Sequence, residues 1–244
     1  MRLRNSLFFI LFFTLINQAY SHNIIPYKAV YDVSLVGSDE TKIEKINGKM
    51  EFELKISNGY VSKYFFNVLV EFKNKEIFKL KNALKAFEDF ESKKYQYTFI
   101  KNQEDKQIKI LSDYQNKTLI VNNDGKIKNK ITNQDVLTPI NFLKEIIHLN
   151  LKTVHSNYNS FKVIDGNFSD GFCTAHTYTE LVKSENSTKK WKVSIEYVSE
   201  NEMEDLPLSN VQLIIDERGV IHEIIQKYPK FKVKYNLFKL DEYK

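Results

Sequence analysis

The sequence predicts a mainly β fold: a many-stranded antiparallel sheet that curls into a spiral or half-open barrel, with one main helix over residues 139–151. Three observations predict it. Apolar and polar residues alternate with period two through most of the chain, as half-buried strands do. Aromatic residues, which favour strands, are abundant, with 18 Phe and 14 Tyr in 244 residues. Most connections between the alternating runs are too short for a helical crossover, so neighbouring strands run antiparallel. About thirteen strands are expected, and a sheet of that size curls or closes rather than staying flat.

The chain opens on a leader. Arg2 and Arg4 precede the apolar run Leu7 to Ile16, and Ala19-Tyr20-Ser21 follows. Charged, apolar and small-residue regions in that order form a secretory signal peptide. Spanning a bilayer takes about 20 apolar residues, so this run is too short to be an anchor. The expectation is cleavage between Ser21 and His22, export to the periplasm, and a single domain over residues 22–244. No Cys follows the leader to carry a lipid.

Beyond the leader, Ala29, Tyr31, Val33 and Leu35 share one strand face, and Met50, Phe52, Leu54 and Ile56 another. Tyr64, Phe66, Val68, Val70 and Phe72 mark a long strand whose other face carries Phe65 and Leu69, so coverage on both sides is expected. Tyr95, Tyr97 and Phe99 repeat the pattern, as do Trp191 to Tyr197, Val211 to Ile215 and Phe231 to Leu237. Turn signals fall at Asn47-Gly48, Asn58-Gly59, Asn123-Asp124-Gly125, Asp165-Gly166, Asp170-Gly171 and Arg218-Gly219. Thr138-Pro139 reads as an N-cap and first helical residue. Ile140, Leu143, Ile146, Ile147 and Leu151 then recur at helical spacing, a stripe that should face the sheet or its mouth. Leu80, Leu84 and Phe87 are also in helical phase, which makes Leu80–Phe90 a second, weaker helical segment.

The formal net charge of +5 falls by two when Arg2 and Arg4 leave with the leader. That is too mild for a nucleic-acid footprint, so no nucleic-acid partner is expected. Interspersed lysines and acids read as a solvated outer face. Cys173 is the only cysteine, which excludes an internal disulfide. Cys173 and His176 stand three apart on a strand and point to opposite faces, so they form no nucleophile–base pair. His148 and His155 are too far apart to share a metal, and His22, His176 and His222 read as isolated surface or strand residues. The segment Asp165 to Gly171 lacks the EF-hand spacing and reads as a tight hairpin. No phosphate loop, dinucleotide fingerprint or Gly-x-Ser-x-Gly occurs. No catalytic, cofactor-binding or metal residues are expected. The remaining feature is the run of apolar faces, either a filled core or an open groove gated by Leu143, Ile147 and Leu151.

Several segments, in order, resemble the EipB-like family of periplasmic envelope-integrity proteins of alphaproteobacteria. They are Tyr27 to Leu35, Asn47 to Phe52, Asn58-Gly59-Tyr60, Val136 to Pro139 with the following helix, Val163 to Gly166, Leu206 to Val220 and Phe231 to Leu240. The resemblance implies a many-stranded β-spiral similar in shape to the lipoprotein carriers LolA and LolB, and a role in the envelope without enzymatic activity. Members of the family commonly carry a disulfide. Here Ser57 stands at the first cysteine position, the C-terminal stretch lacks the second, and Cys173 is not in place to substitute. The expected function is a non-enzymatic periplasmic protein supporting envelope integrity, with envelope proteins, a lipid or a lipoprotein as partner. The alternatives are a carrier for a lipid or lipoprotein acyl chain, and a hydrolase with dispersed catalytic residues.

Overall fold

A computed structural model describes residues 24–38, 42–103, 106–123, 126–131, 135–152, 156–164, 172–182, 188–199 and 209–243. The leader with its Ser21–His22 junction, His155, the Asp165 to Gly171 turn and Leu206 to Leu208 lie outside these residues. The strands are β1 (Tyr27–Ser38), β2 (Ile43–Ile56), β3 (Tyr60–Phe72), β4 (Ile77–Glu88), β5 (Lys94–Gln103), β6 (Lys106–Gln115), β7 (Thr118–Asn123) and β8 (Lys126–Ile131). Helix α1 (Pro139–Lys152) follows. The chain then forms β9 (Asn157–Ile164), β10 (Phe172–Val182), β11 (Lys190–Ser199), β12 (Ser209–Asp216), β13 (Ile221–Lys227) and β14 (Phe231–Glu242).

Among the described residues fourteen strands form one sheet, in the order β8 to β1 followed by β14 down to β9. The count is one above the expected thirteen. Every pairing between strands is antiparallel, and each meander uses only sequential neighbours. The single long-range pairing joins β1 to β14, with Tyr27 opposite Glu242. The sheet is not closed: β8 and β9 are its edges, and α1 lies between them in sequence.

The inner face is set by the period-two pattern. Tyr27, Ala29, Tyr31 and Val33 of β1 pack with Phe52 and Leu54 of β2, Val193 of β11 and Ile215 of β12. The two buried tyrosines are tied down at their polar ends. Tyr27 OH donates to the Gly219 carbonyl at 3.3 Å, and Tyr31 OH to the Ile221 carbonyl at 2.8 Å. Gly219 has φ +84°, and a Cβ there would lie 2.8 Å from Ile24 carbon atoms, so this turn needs glycine.

Several sequence expectations change. Asn47-Gly48 is no turn but lies within β2. A Cβ on Gly48 would meet Asn67 O at 2.3 Å and Val68 Cα at 2.7 Å, so glycine here admits a close approach of β3. Leu80–Phe90 is not helical; Ile77–Glu88 is β4. Residues 80 and 84 share a face at either period, and only Phe87 distinguishes the two, lying on the opposite strand face. The second face of β3 is uncovered: Phe65 is 46% and Leu69 42% exposed.

Candidate functional site

Three places gather side chains that could act: the seat of α1, the outer face of β1–β7, and the β12–β13 turn.

Helix α1 starts as expected at Pro139, with Phe142 N–H donating to the Thr138 carbonyl at 2.8 Å. The side-chain cap comes from elsewhere. Glu88 Oε1, at the end of β4, accepts the Ile140 N–H at 2.7 Å. Thr138 Oγ1 instead accepts from Asn141 Nδ2 at 3.0 Å, and Asn141 Nδ2 also donates to the Asp89 carbonyl at 2.9 Å. Ser92 Oγ lies 3.3 Å from Thr138 Oγ1. The β4–β5 turn therefore clamps the helix N-terminus. Burial pushes the Glu88 carboxyl up to about 8 against the opposing bonds from Thr138 and Ile140, and its second oxygen, Oε2, is buried without a hydrogen-bond partner. Along the helix Ile140, Phe142, Ile146 and Ile147 are buried, while Leu143 and Leu151 are half-buried against the same core. Phe142 meets Phe161 of β9 edge-on at 5.4 Å between ring centroids. The interior beside β3 and β4 is lined by half-buried Tyr64, Phe66, Leu80 and Leu84.

On the outer face, two adjoining depressions of about 490 and 470 Å³ share Lys85 and Thr98. The larger also meets Phe87, Gln96, Asp113 and Ile120; the smaller meets Phe65, Ala83 and Ile100 and is rimmed by charge. On that rim Lys28 pairs with Glu51 at 3.0 Å, and Lys63 with Glu53 at 3.4 Å. Bonds from Tyr243, Lys55 and Lys63 hold the Glu53 carboxyl down at about 2.

At the β12–β13 turn, the fully buried Asp216 accepts the backbone N–H groups of Arg218 and Val220, both at 3.0 Å. Its Oδ2 also takes Arg218 Nη2 at 2.9 Å and lies 3.1 Å from His222 Nε2. Burial opposes the charge on Asp216, but the His222 and Arg218 bonds prevail and the carboxyl stays below its usual range. His222 is thus not isolated, contrary to the sequence expectation. The Asp216-Glu217-Arg218-Gly219 turn carried the signal, since an aspartate opening a hairpin turn bonds the backbone two residues on.

Cys173 and His176 lie on opposite faces as expected. Cys173 is buried with its Sγ 3.9 Å from the Val163 carbonyl, and His176 Nδ1 is 3.1 Å from Tyr158 OH. Among the described residues no helix is long and apolar enough to cross a membrane.

A family model described as EipB-like matches residues 18–149, more than half of the chain. The chain belongs to the EipB-like family. The cell envelope integrity protein EipB of Brucella abortus (strain 2308) is 20% identical to it, over 90% of this chain and 85% of that protein. A crystal structure of a β-barrel-like protein of a domain of unknown function, also from Brucella abortus, superposes with a TM-score of 0.77 at 17% identity. That match covers 91% of this chain and 99% of the other, and it shows the fold. In this EipB-like protein Ser57 is an exposed turn residue whose Oγ bonds Asn58 Oδ1 at 3.1 Å. The position is open to solvent, so a serine is accommodated there without burying a polar group.

Proposed function

We propose that this chain is a non-enzymatic periplasmic protein that supports cell-envelope integrity, acting as an exported single domain from His22 onward. The observation that carries this reading is a continuous buried cluster. Tyr27, Tyr31, Phe52 and Ile147 belong to one buried cluster that the helix helps to complete. A continuous buried cluster of this kind suits a scaffold or interaction role better than turnover of a substrate. The name of the Brucella relative, a cell envelope integrity protein, supports the same role. At the β12–β13 turn Asp216 spends its acceptor capacity on Arg218, Val220 and His222, and this ties a hairpin together. The test is deletion of the gene in its host, followed by complementation. Cells lacking the chain should become detergent-sensitive, and wild type, His222→Ala and Cys173→Ser should restore resistance equally. Loss of rescue by either variant at a normal protein level would mean that chemistry at that residue matters. N-terminal sequencing of the periplasmic protein should begin at His22.

A carrier function for a lipid or lipoprotein acyl chain is the second reading, favoured by the half-buried lining of Tyr64, Phe66, Leu80 and Leu84. Leu143, Ile147 and Leu151 would then form the gate. Burying about ten methylenes contributes roughly 8 kcal/mol before ordering costs. Mass spectrometry of protein purified from the native periplasm should then show a co-purified lipid, lost in Leu143→Asp. A lipid-free wild type excludes this reading.

A further inference from the structure

Several outward lysines of the sheet stand against an acid. Lys28 pairs with Glu51, Lys49 with Asp32, Lys63 with Glu53, Lys192 with Glu180 and Lys234 with Glu223. Lys79, Lys81 and Lys85 form a row of three on one face of β4. All three are exposed, and none has an ion-pair partner among the described residues. The register gives the reason. Lys79 lies opposite Leu69, Lys81 between Asn67 and Asn102, and Lys85 between Lys63 and Thr98. Among the described residues no acid is a direct cross-strand neighbour of any of them. Like charges set directly opposite destabilise a sheet, so Lys85 beside Lys63 is unfavourable for the fold considered alone.

Large apolar side chains interleave with this row on the same face. Phe65 is 46% exposed, Leu69 42% and Ile77 63%. The β3–β4 turn adds exposed Lys73 and Lys75, and its shape is fixed by Lys75 N–H to the Phe72 carbonyl at 2.8 Å and Phe72 N–H to the Glu76 carbonyl at 2.9 Å. Among the described residues Glu44, Glu71 and Glu76 are the acids at this end, fewer than Lys42, Lys45, Lys73, Lys75 and Lys79 around them. Uncompensated ammonium groups beside protruding aliphatic chains complement one kind of surface: anionic headgroups with an apolar layer beneath. A folded acidic protein would satisfy the lysines and leave Leu69 and Ile77 without an apolar layer to enter.

We propose that the outer face of β3 and β4 docks on an anionic phospholipid surface, with Lys79, Lys81 and Lys85 on the phosphates and Leu69 and Ile77 reaching below them. The docking does not depend on whether the interior holds an acyl chain. The test is co-sedimentation of the purified protein with vesicles of phosphatidylcholine alone, or mixed with an equal amount of phosphatidylglycerol. Binding is expected only to the mixed vesicles, weakening as salt is raised. Replacing the three lysines together by Gln should weaken binding about a hundredfold, at about fivefold for each lysine. Leu69→Ser with Ile77→Ser should weaken it several-fold on the same vesicles. All five side chains are solvent-facing, so an unchanged melting temperature establishes that the variants are folded. The proposal is overturned if wild type ignores the mixed vesicles, if it binds both kinds equally, or if the lysine variant binds as wild type does.

Discussion

Glu88 shows how one buried side chain can couple a sheet to a helix. Its carboxyl is pushed up from an ordinary 4.5 to about 8, first by burial and then by neighbouring Asp89, so it carries its proton at neutral pH. A group whose pKa is raised on folding favours the folded state fully below its unfolded pKa, and this contribution is lost as pH rises through the folded value. Stability should therefore fall between about pH 4.5 and pH 8, by a few kcal/mol at about 1.4 kcal/mol for each unit separating the two states. Glu88→Gln keeps an oxygen for the Ile140 N–H and cannot ionise. Urea midpoints measured across that range should be flatter for Glu88→Gln than for wild type, and parallel curves would refute the assignment. Gly48 makes the opposite kind of demand, for space rather than for a proton. Gly48→Ala would press a methyl group into the backbone of Asn67 and Val68, and should cost about 3 kcal/mol in chemical denaturation. Neither role was visible beforehand. The Glu88 contact spans 52 positions along the chain, and Asn-Gly is a turn signal wherever local rules alone apply.

At the scale of elements, the helix follows from local chemistry and its environment does not. Thr138-Pro139 and the apolar spacing place its start at the observed residue and its end within one position of Lys152. Which side chains bury most depends on the sheet it meets. Ile147 is 1% exposed, whereas Leu143 and Leu151 are only half-buried. Ile147→Ala should cost about 2–5 kcal/mol through the cavity it leaves, and Leu151→Ala clearly less. Equal losses in a denaturant series would mean that the helix sits differently. The strands were legible wherever their two faces differ in polarity, as in β1 and β11. They were misread where they do not. In β4 Leu80 and Leu84 satisfy helical and strand spacing alike, and in β3 the outward Phe65 and Leu69 imitate a second core face. The β3 ambiguity falls on the face that carries the lysine row, whereas Leu80 and Leu84 of β4 point to the opposite, inner face.

For the molecule as a whole, the sheet rests on packing and pairing without a covalent staple. Cys173 is the only thiol and is buried, so monomeric protein should melt at the same temperature with and without reductant. A drop under reductant would reveal a bond to another molecule. The meanders followed from turn spacing, and the strand count to within one. The joining of β1 to β14 did not, because no local pattern announces a partner some two hundred residues away. That pairing also orders events in time. Synthesis releases β1 first and β14 last, so β1, central in the finished sheet, must wait with one side unpaired until synthesis is nearly complete. Pairings of such long sequence separation form slowly, and an unpaired central strand invites association with other chains. Chaperone protection before β14 arrives, rather than the final stability of the sheet, should then limit how much of this protein a cell can accumulate.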